Sequence, residues 1–126
     1  FGDEDEGFCV CSWSPDSRWL AGYVRNPRGS VGIVVYSLDS RQYKRLTDFG
    51  AFPEWTNDSR GVIFQKRGGS GLYFVDIESG DVHELLSLAP DELHLPTLSP
   101  DNQWIFFERV KIEADIWMLT LDEDKK

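Results

Sequence analysis

The chain holds few residues placed for chemistry. A hydrolase elbow presents its serine as Gly-x-Ser-x-Gly. The nearest stretch, GGSGL (68–72), has Leu72 where the last glycine would stand. It reads as a hairpin tip, where glycine supplies the conformational freedom that tight turns need. His83 and His94 lack the paired spacing of metal ligands. His83 alternates within a strand pattern, and His94 falls in the connection between two repeats. Cys9 and Cys11, in FCVCS, stand at i and i+2, on one face of a strand. Neighbours on one strand rarely meet disulfide geometry, and no further zinc ligands lie near. Both are expected to be buried, reduced thiols. Asp16, Asp58 and Asp101 could form an array of carboxylates, yet each sits in a turn where Asp accepts a backbone N–H two residues on. The acidic runs 3–6 and 122–124 lack the glycine and distal glutamate of a calcium loop and read as solvated ends. No Gly-x-Gly-x-x-Gly or Walker pattern opens a helix. The sequence therefore predicts no catalytic residue, no cofactor and no metal.

Two basic hairpins stand out in an acidic chain: RNPRGS (25–30) and QKRGGSG (65–71). Arg25, Asn26, Arg28, Lys66 and Arg67 are the candidate binding-loop residues, since loops on one side of a scaffold often form its recognition surface. Solubilising charge on exposed hairpins is the other reading. Lys plus Arg number 13 against 22 Asp plus Glu, a formal net charge of −9. That balance disfavours nucleic acid, whose phosphates need clustered cations, and anionic membrane surfaces. No apolar run approaches the roughly 20 residues of a membrane helix, so direct membrane insertion is not expected. The opening FGDEDEGF has neither the basic nor the apolar region of a signal peptide. It also lacks an initiator Met, so the chain is read as excised from something longer.

These residues must be positioned by a repeated unit. WSPDSRWLAG begins at Trp13, WTNDSRGVIF at Trp55 and LSPDNQWIFF at Leu98, at offsets of 42 and 43 residues. Trp13, Pro15, Asp16, Trp55, Asp58, Pro100 and Asp101 form the repeat signature. Leu20, Val62 and Ile105 follow the aspartates at a constant distance. Downstream lie GIVVYSLDS (32–40), GLYFVDIESG (71–80) and DIWMLTLDE (115–123), and then QYKRLTD (42–48) and DVHELLS (81–87) in the first two units. Each unit reads as four short strands, rich in β-branched and aromatic residues and separated by Gly, Pro, Asn, Asp and Ser. Capped helical periodicity is missing; LLSLAPDELHL (85–95) is a long connection that could hold a helical turn. Four strands in about 42 residues is the period of a propeller blade. The Asp turn bends the chain between the first two strands, and Trp13 and Trp55 are expected to be buried at equivalent positions.

SWSPDSRWLAGYVRN…IVVYSLDSRQYKRLT resembles the TolB-type, WD-like β-propeller repeat, from about Cys11 to Asp122. Ser17, Ser59 and Asn102 replace the glycine that follows the Asp, and the TNDS turn lacks the Pro. The resemblance implies an all-β fold: a β-propeller fragment of about three four-stranded antiparallel blades in a single unit, 1–126. Blade 1 covers about 8–48, blade 2 about 49–88, and blade 3 about 93–122 without its fourth strand. It implies a non-catalytic binding or scaffold module for protein or peptide, in a bacterial periplasmic or other extracytoplasmic setting. The alternative is the substrate-gating propeller portion of a prolyl-oligopeptidase-like peptidase whose hydrolase domain is absent. Three blades leave two open ends. Leu20, Val24, Val34 and Tyr36 are expected on the free face of the first. Trp104, Phe106, Phe107 and Trp117 are expected on that of the third. A homo-oligomer joined through these ends is expected.

Overall fold

The computed structural model describes residues 7–66, 68–112 and 119–121. Short runs of Val, Ile, Phe and Tyr punctuated by turns give eleven strands among these residues, in three antiparallel sheets. The first sheet holds β1 (Gly7–Trp13), β2 (Trp19–Asn26), β3 (Gly29–Ser37) and β4 (Tyr43–Arg45), in chain order. The second repeats the plan with β5 (Ala51–Trp55), β6 (Gly61–Gln65), β7 (Gly71–Asp76) and β8 (Val82–Ser87). The third has β9 (Glu92–Leu98), β10 (Ile105–Ile112) and β11 (Leu119–Leu121). The fold is all-β, three blades of an incomplete propeller, as the repeats imply. No helix among the described residues is long and apolar enough to cross a membrane.

The core lies between sheets. Ala21, Tyr23, Ile33 and Val35 of the first blade are buried against Ala51, Trp55, Val62, Phe64 and Val75 of the second. Ile63 and Leu72, on the second blade, meet Leu93, Leu98 and Ile105 of the third. Both faces of the middle blade are therefore apolar, and all five residues of β6 are buried. That is why VIF in β6 loses the alternation of a half-solvated strand.

Several expectations are corrected. The 85–95 stretch is mostly strand: β8 runs to Ser87 and β9 starts at Glu92. The connection is short because its backbone is tied to the β6–β7 hairpin. Leu88 N–H donates to Ser70 O at 2.9 Å, and Leu93 N–H to Gly69 O at 3.0 Å. His94 accordingly lies on β9, not in a connection. A bulge between Val10 and Ser12 leaves Cys11 out of the ladder, so the two cysteines do not share a buried face. Cys9 is half-buried and Cys11 exposed. Burial of its sulfur still pushes the Cys11 thiol up to about 11, with the neighbouring Cys9 adding to the rise.

The register puts Val24 opposite Phe8, Val34 opposite Gly22, and Leu20 in one row with Trp13, Tyr36 and Tyr43. All lie on the free face of the first blade, as expected, but Val24 and Val34 are fully buried and Leu20 and Tyr36 half-buried. An aromatic roof on the same face accounts for part of this. Phe8 meets Tyr43 edge-on at 5.3 Å, and Tyr43 meets Tyr36 at 4.8 Å. Gly22 gives the roof room, because a Cβ there would stand 2.8 Å from the Phe8 ring and 2.1 Å from Cys9 O.

The two tryptophans are not equivalent in burial. Trp55 is 5% exposed and donates its indole N–H to Ser12 O at 3.2 Å. Trp13 is 62% exposed. The residue at this position faces the preceding blade, and no sheet among the described residues precedes β1.

Candidate functional site

The up-and-down order of each sheet places the β1–β2, β5–β6 and β9–β10 turns at one end of the three blades. The β2–β3 and β6–β7 hairpins stand at the other. Repeated carboxylates and basic hairpins therefore sit apart.

At the first end, three turns are built alike. Ser14, Thr56 and Ser99 hydroxyls each donate to Oδ1 of Asp16, Asp58 and Asp101, all at 2.6 Å. The same oxygens accept the N–H of Arg18, Arg60 and Gln103 at 3.0, 3.1 and 3.0 Å. These hydroxyl bonds first, and the backbone bonds with them, hold all three carboxyls below the usual range against the opposing effect of desolvation. A carboxylate so held is a poor proton shuttle near neutral pH, where a general acid or base works best with a matched pKa. Ser17, Ser59 and Asn102 follow with φ of 62°, 60° and 61°. Glycine would adopt that conformation without strain, whereas Ser59 and Asn102 use their side chains across the blade boundary. Asp16 N–H donates to Ser59 Oγ at 3.1 Å, and Asn57 N–H to Asn102 Oδ1 at 3.0 Å. The missing proline of TNDS is thereby explained. Pro15 has no N–H, so the first blade donates from the next residue, whereas the second donates from Asn57 itself.

Sequence reasoning missed a solvent-open cavity of about 340 Å³ between the second and third blades at this end, lined by Pro15, Glu54, Trp55, Asn57, Leu98 and Pro100 among others. Its polar groups are engaged. Glu54 Oε1 accepts Leu98 N–H, and Asn57 Nδ2 donates to Pro100 O at 3.1 Å. Glu54 had no motif to mark it; Asn57 was visible as the departure from Pro.

At the opposite end, Arg25, Arg28 and Lys66 are exposed and Asn26 is half-buried. Asn26 Oδ1 accepts Arg28 N–H at 2.8 Å, which shapes the hairpin tip. Arg67 lies outside the described residues.

The outward face of the third blade carries Trp104, 66% exposed, and Phe106, 62% exposed; Phe107, expected beside them, alternates to the opposite face of β10, because neighbours on a strand point to opposite sides, and is exposed there. Trp117 lies outside the described residues. Near these rings His94 Nε2 stands 2.8 Å from Glu92 Oε1, and Nδ1 stands 3.7 Å from Glu108 Oε1. Among the described residues no three His, Cys, Asp or Glu side chains are grouped to hold a metal ion.

No protein-family model matches the chain, and no curated protein matches it in sequence. Solved structures do. A TolB from Agrobacterium tumefaciens superposes with a TM-score of 0.67 at 17% identity, over 94% of this chain and 50% of that one. TolB from Acinetobacter baumannii gives 0.67 at 23%, over 94% and 33%. A prolyl endopeptidase gives 0.67 at 14%, over 96% and 22%. The chain thus spans half or less of each of these three structures, and it has the fold of a TolB-type propeller.

Proposed function

We propose that this chain is a non-catalytic binding or scaffold module that recognises protein or peptide. The observation that carries the reading is the pair of aromatic rings, Trp104 and Phe106, left in solvent on one sheet face. Large apolar side chains grouped in this way are typical of interaction surfaces, and aromatic rings dominate interface energetics. Asp16, Asp58 and Asp101 are turn-formers with lowered pKa, which favours recognition over catalysis. Arg25, Asn26, Arg28 and Lys66 supply a second, polar contact area at the hairpin end, and Arg67 is a candidate for it by its place in the sequence. An extracytoplasmic setting belongs to the same reading.

The test is selection of random peptides on the immobilised chain, with the Trp104→Ala variant as counter-target. Peptides that bind the wild type and lose at least tenfold in affinity on the variant are the expected result. Enrichment of no peptide, or of peptides indifferent to Trp104 and to the hairpins, overturns the reading.

The similarity to a prolyl endopeptidase, equal in TM-score to that with TolB, supports the second reading of a substrate-gating propeller portion. The coding sequence beyond residue 126 discriminates, because that reading requires a hydrolase domain with its nucleophile elbow in the same gene.

A further inference from the structure

The cations of the blades divide by end. At the end of the Asp turns they face carboxylates. Arg18 Nε donates to Asp39 Oδ2 at 2.9 Å, and Arg60 lies close enough to Asp58 and Asp76 to interact electrostatically with both. Elsewhere Arg109 pairs with the buried Asp91 at 2.8 Å, and Lys44 Nζ donates to Ile77 O. At the hairpin end Arg25, Arg28 and Lys66 are exposed, and none of them makes an ion pair among the described residues.

Two of these cations come together from different blades. Tyr23 and Phe64 both belong to the core between the first and second blades. Side chains alternate along a strand, so Arg25, two residues beyond Tyr23, lies on the β2 face turned to the second blade. Lys66, two beyond Phe64 and one past the end of β6, continues the alternation on the face turned to the first. They flank one mouth, that of the joint between blades 1 and 2. Both sides of this joint lie within the chain, so further blades neither create it nor remove it.

The mouth is held in place. Gly69 N–H donates to Lys66 O at 2.8 Å, and the same hairpin is tied to the third blade through Ser70 O and Gly69 O. Asn26 Oδ1 fixes the other tip through Arg28 N–H. The β4–β5 connection brings one carboxylate, Asp48, to this end, and it pairs with neither cation among the described residues. Like charges held together without counter-charges repel, and an anion between them attracts both. With a net charge of −9, the chain repels an acidic partner except where its surface is locally positive. Resting on the binding reading above, we propose that the mouth between Arg25 and Lys66, with Arg28 on the adjoining tip, takes the carboxylates of an acidic peptide segment. Nucleic acid fits less well, because its phosphates need a continuous basic track that this acidic chain does not offer.

Fluorescence anisotropy on the whole chain tests this with three labelled probes: a Glu-Ser repeat peptide, its Gln-Ser counterpart and a single-stranded oligonucleotide of equal charge. The Glu-Ser peptide is expected to bind and the Gln-Ser peptide not. Arg25→Glu/Lys66→Glu is expected to weaken binding at least tenfold, and added salt is expected to weaken it in the wild type, since exposed charges are screened. Arg18→Glu/Arg60→Glu makes the same change in net charge at the other end and is expected to stay within threefold of the wild type. Far-UV circular dichroism checks that each variant folds, and Arg25→Gln/Lys66→Gln replaces the reversal should that fail. No binding of the Glu-Ser peptide, equal losses in the two double variants, or an oligonucleotide bound as tightly through the same two cations overturns the proposal. Library peptides that depend on Trp104 but not on Arg25 and Lys66 defeat only this proposal. Enrichment of no library peptide defeats the binding reading itself.

Discussion

Replacing Trp55 by Ala removes the side chain that seals the first blade joint. An indole buries on the order of 150–250 Å². At about 25 cal/mol per Å² that corresponds to about 4–6 kcal/mol of transfer free energy, an upper estimate because the unfolded chain already hides part of it. Measured Trp→Ala changes in cores cost about 3–5 kcal/mol. The lost Nε1–H bond to Ser12 O, 3.2 Å long, is included in that loss and is worth about 1 kcal/mol. The expected destabilisation is about 4 kcal/mol, which at a slope of about 2 kcal/mol per M lowers the urea midpoint by about 2 M. Far-UV circular dichroism at sub-micromolar protein follows the transition without contact between copies. Trp13→Ala is the internal control, at the same repeat position but 62% exposed, and should change stability by no more than about 0.5 kcal/mol. Trp55→Phe keeps most of the apolar area and should lose about 1–2 kcal/mol. Equal losses for Trp13→Ala and Trp55→Ala would refute the assignment of this position to the preceding-blade face.

Ser59→Ala should cost about 1 kcal/mol by removing the acceptor of Asp16 N–H, whereas Ser17→Gly should stabilise this chain by about 1 kcal/mol, because it relieves a φ of 62° and breaks no side-chain bond across a joint among the described residues; paired urea titrations read both. Asp58→Ala should cost on the order of 1–2 kcal/mol through two lost turn bonds and leave Trp104-dependent peptide binding unchanged; a stable variant dead in binding would make the carboxylate a site. The folded pKa values of Asp16, Asp58 and Asp101 lie below the unfolded ones, so their stabilisation is present above the unfolded carboxyl pKa and is lost as pH falls through the folded values. The urea midpoint should thus fall below about pH 4, and less steeply in Asp58→Asn. Cys11 should react slowly with iodoacetamide at pH 8 despite its exposure, since a pKa of about 11 leaves about one thiolate in a thousand, and the rate should climb tenfold per pH unit above that. A fast, pH-independent reaction would show that its sulfur is not desolvated.

The fold was legible because the repeat is carried by turn chemistry, which is local. Ser-Pro-Asp-Ser, Thr-Asn-Asp-Ser and Ser-Pro-Asp-Asn each fix a hydroxyl–carboxylate–amide bond set within a few residues. No distant contact is needed to read them. What failed was set by tertiary partners. The 85–95 stretch is pinned as strand by backbone bonds to Ser70 and Gly69, which periodicity does not encode. Cys11 left its expected face because of a bulge, and a bulge inserts one residue with no signature of its own. His94 gained its carboxylate neighbours Glu92 and Glu108 only once β9 and β10 were paired.

The site depends on the same distinction in a sharper form. A repeat assigns position, and position assigns the face a side chain points to. Burial depends further on whether a neighbour stands there. Trp13 and Trp55, Trp19 and Trp104, and Ala21 and Phe106 are matched pairs that differ in this respect. The places where the repeat departs from its pattern are informative for the same reason. Serine or asparagine in place of glycine at positive φ costs backbone strain at every turn, and only a partner across a joint offsets it. Ser59 and Asn102 have that partner within the chain. Ser17 carries the same φ, and among the described residues no blade precedes it; a partner that docks on the first blade and donates to Ser17 Oγ would offset that strain. Docking should then be tighter for Ser17 than for a Ser17→Ala variant, and affinity measured on the two separates a face built for a partner from one that is merely apolar.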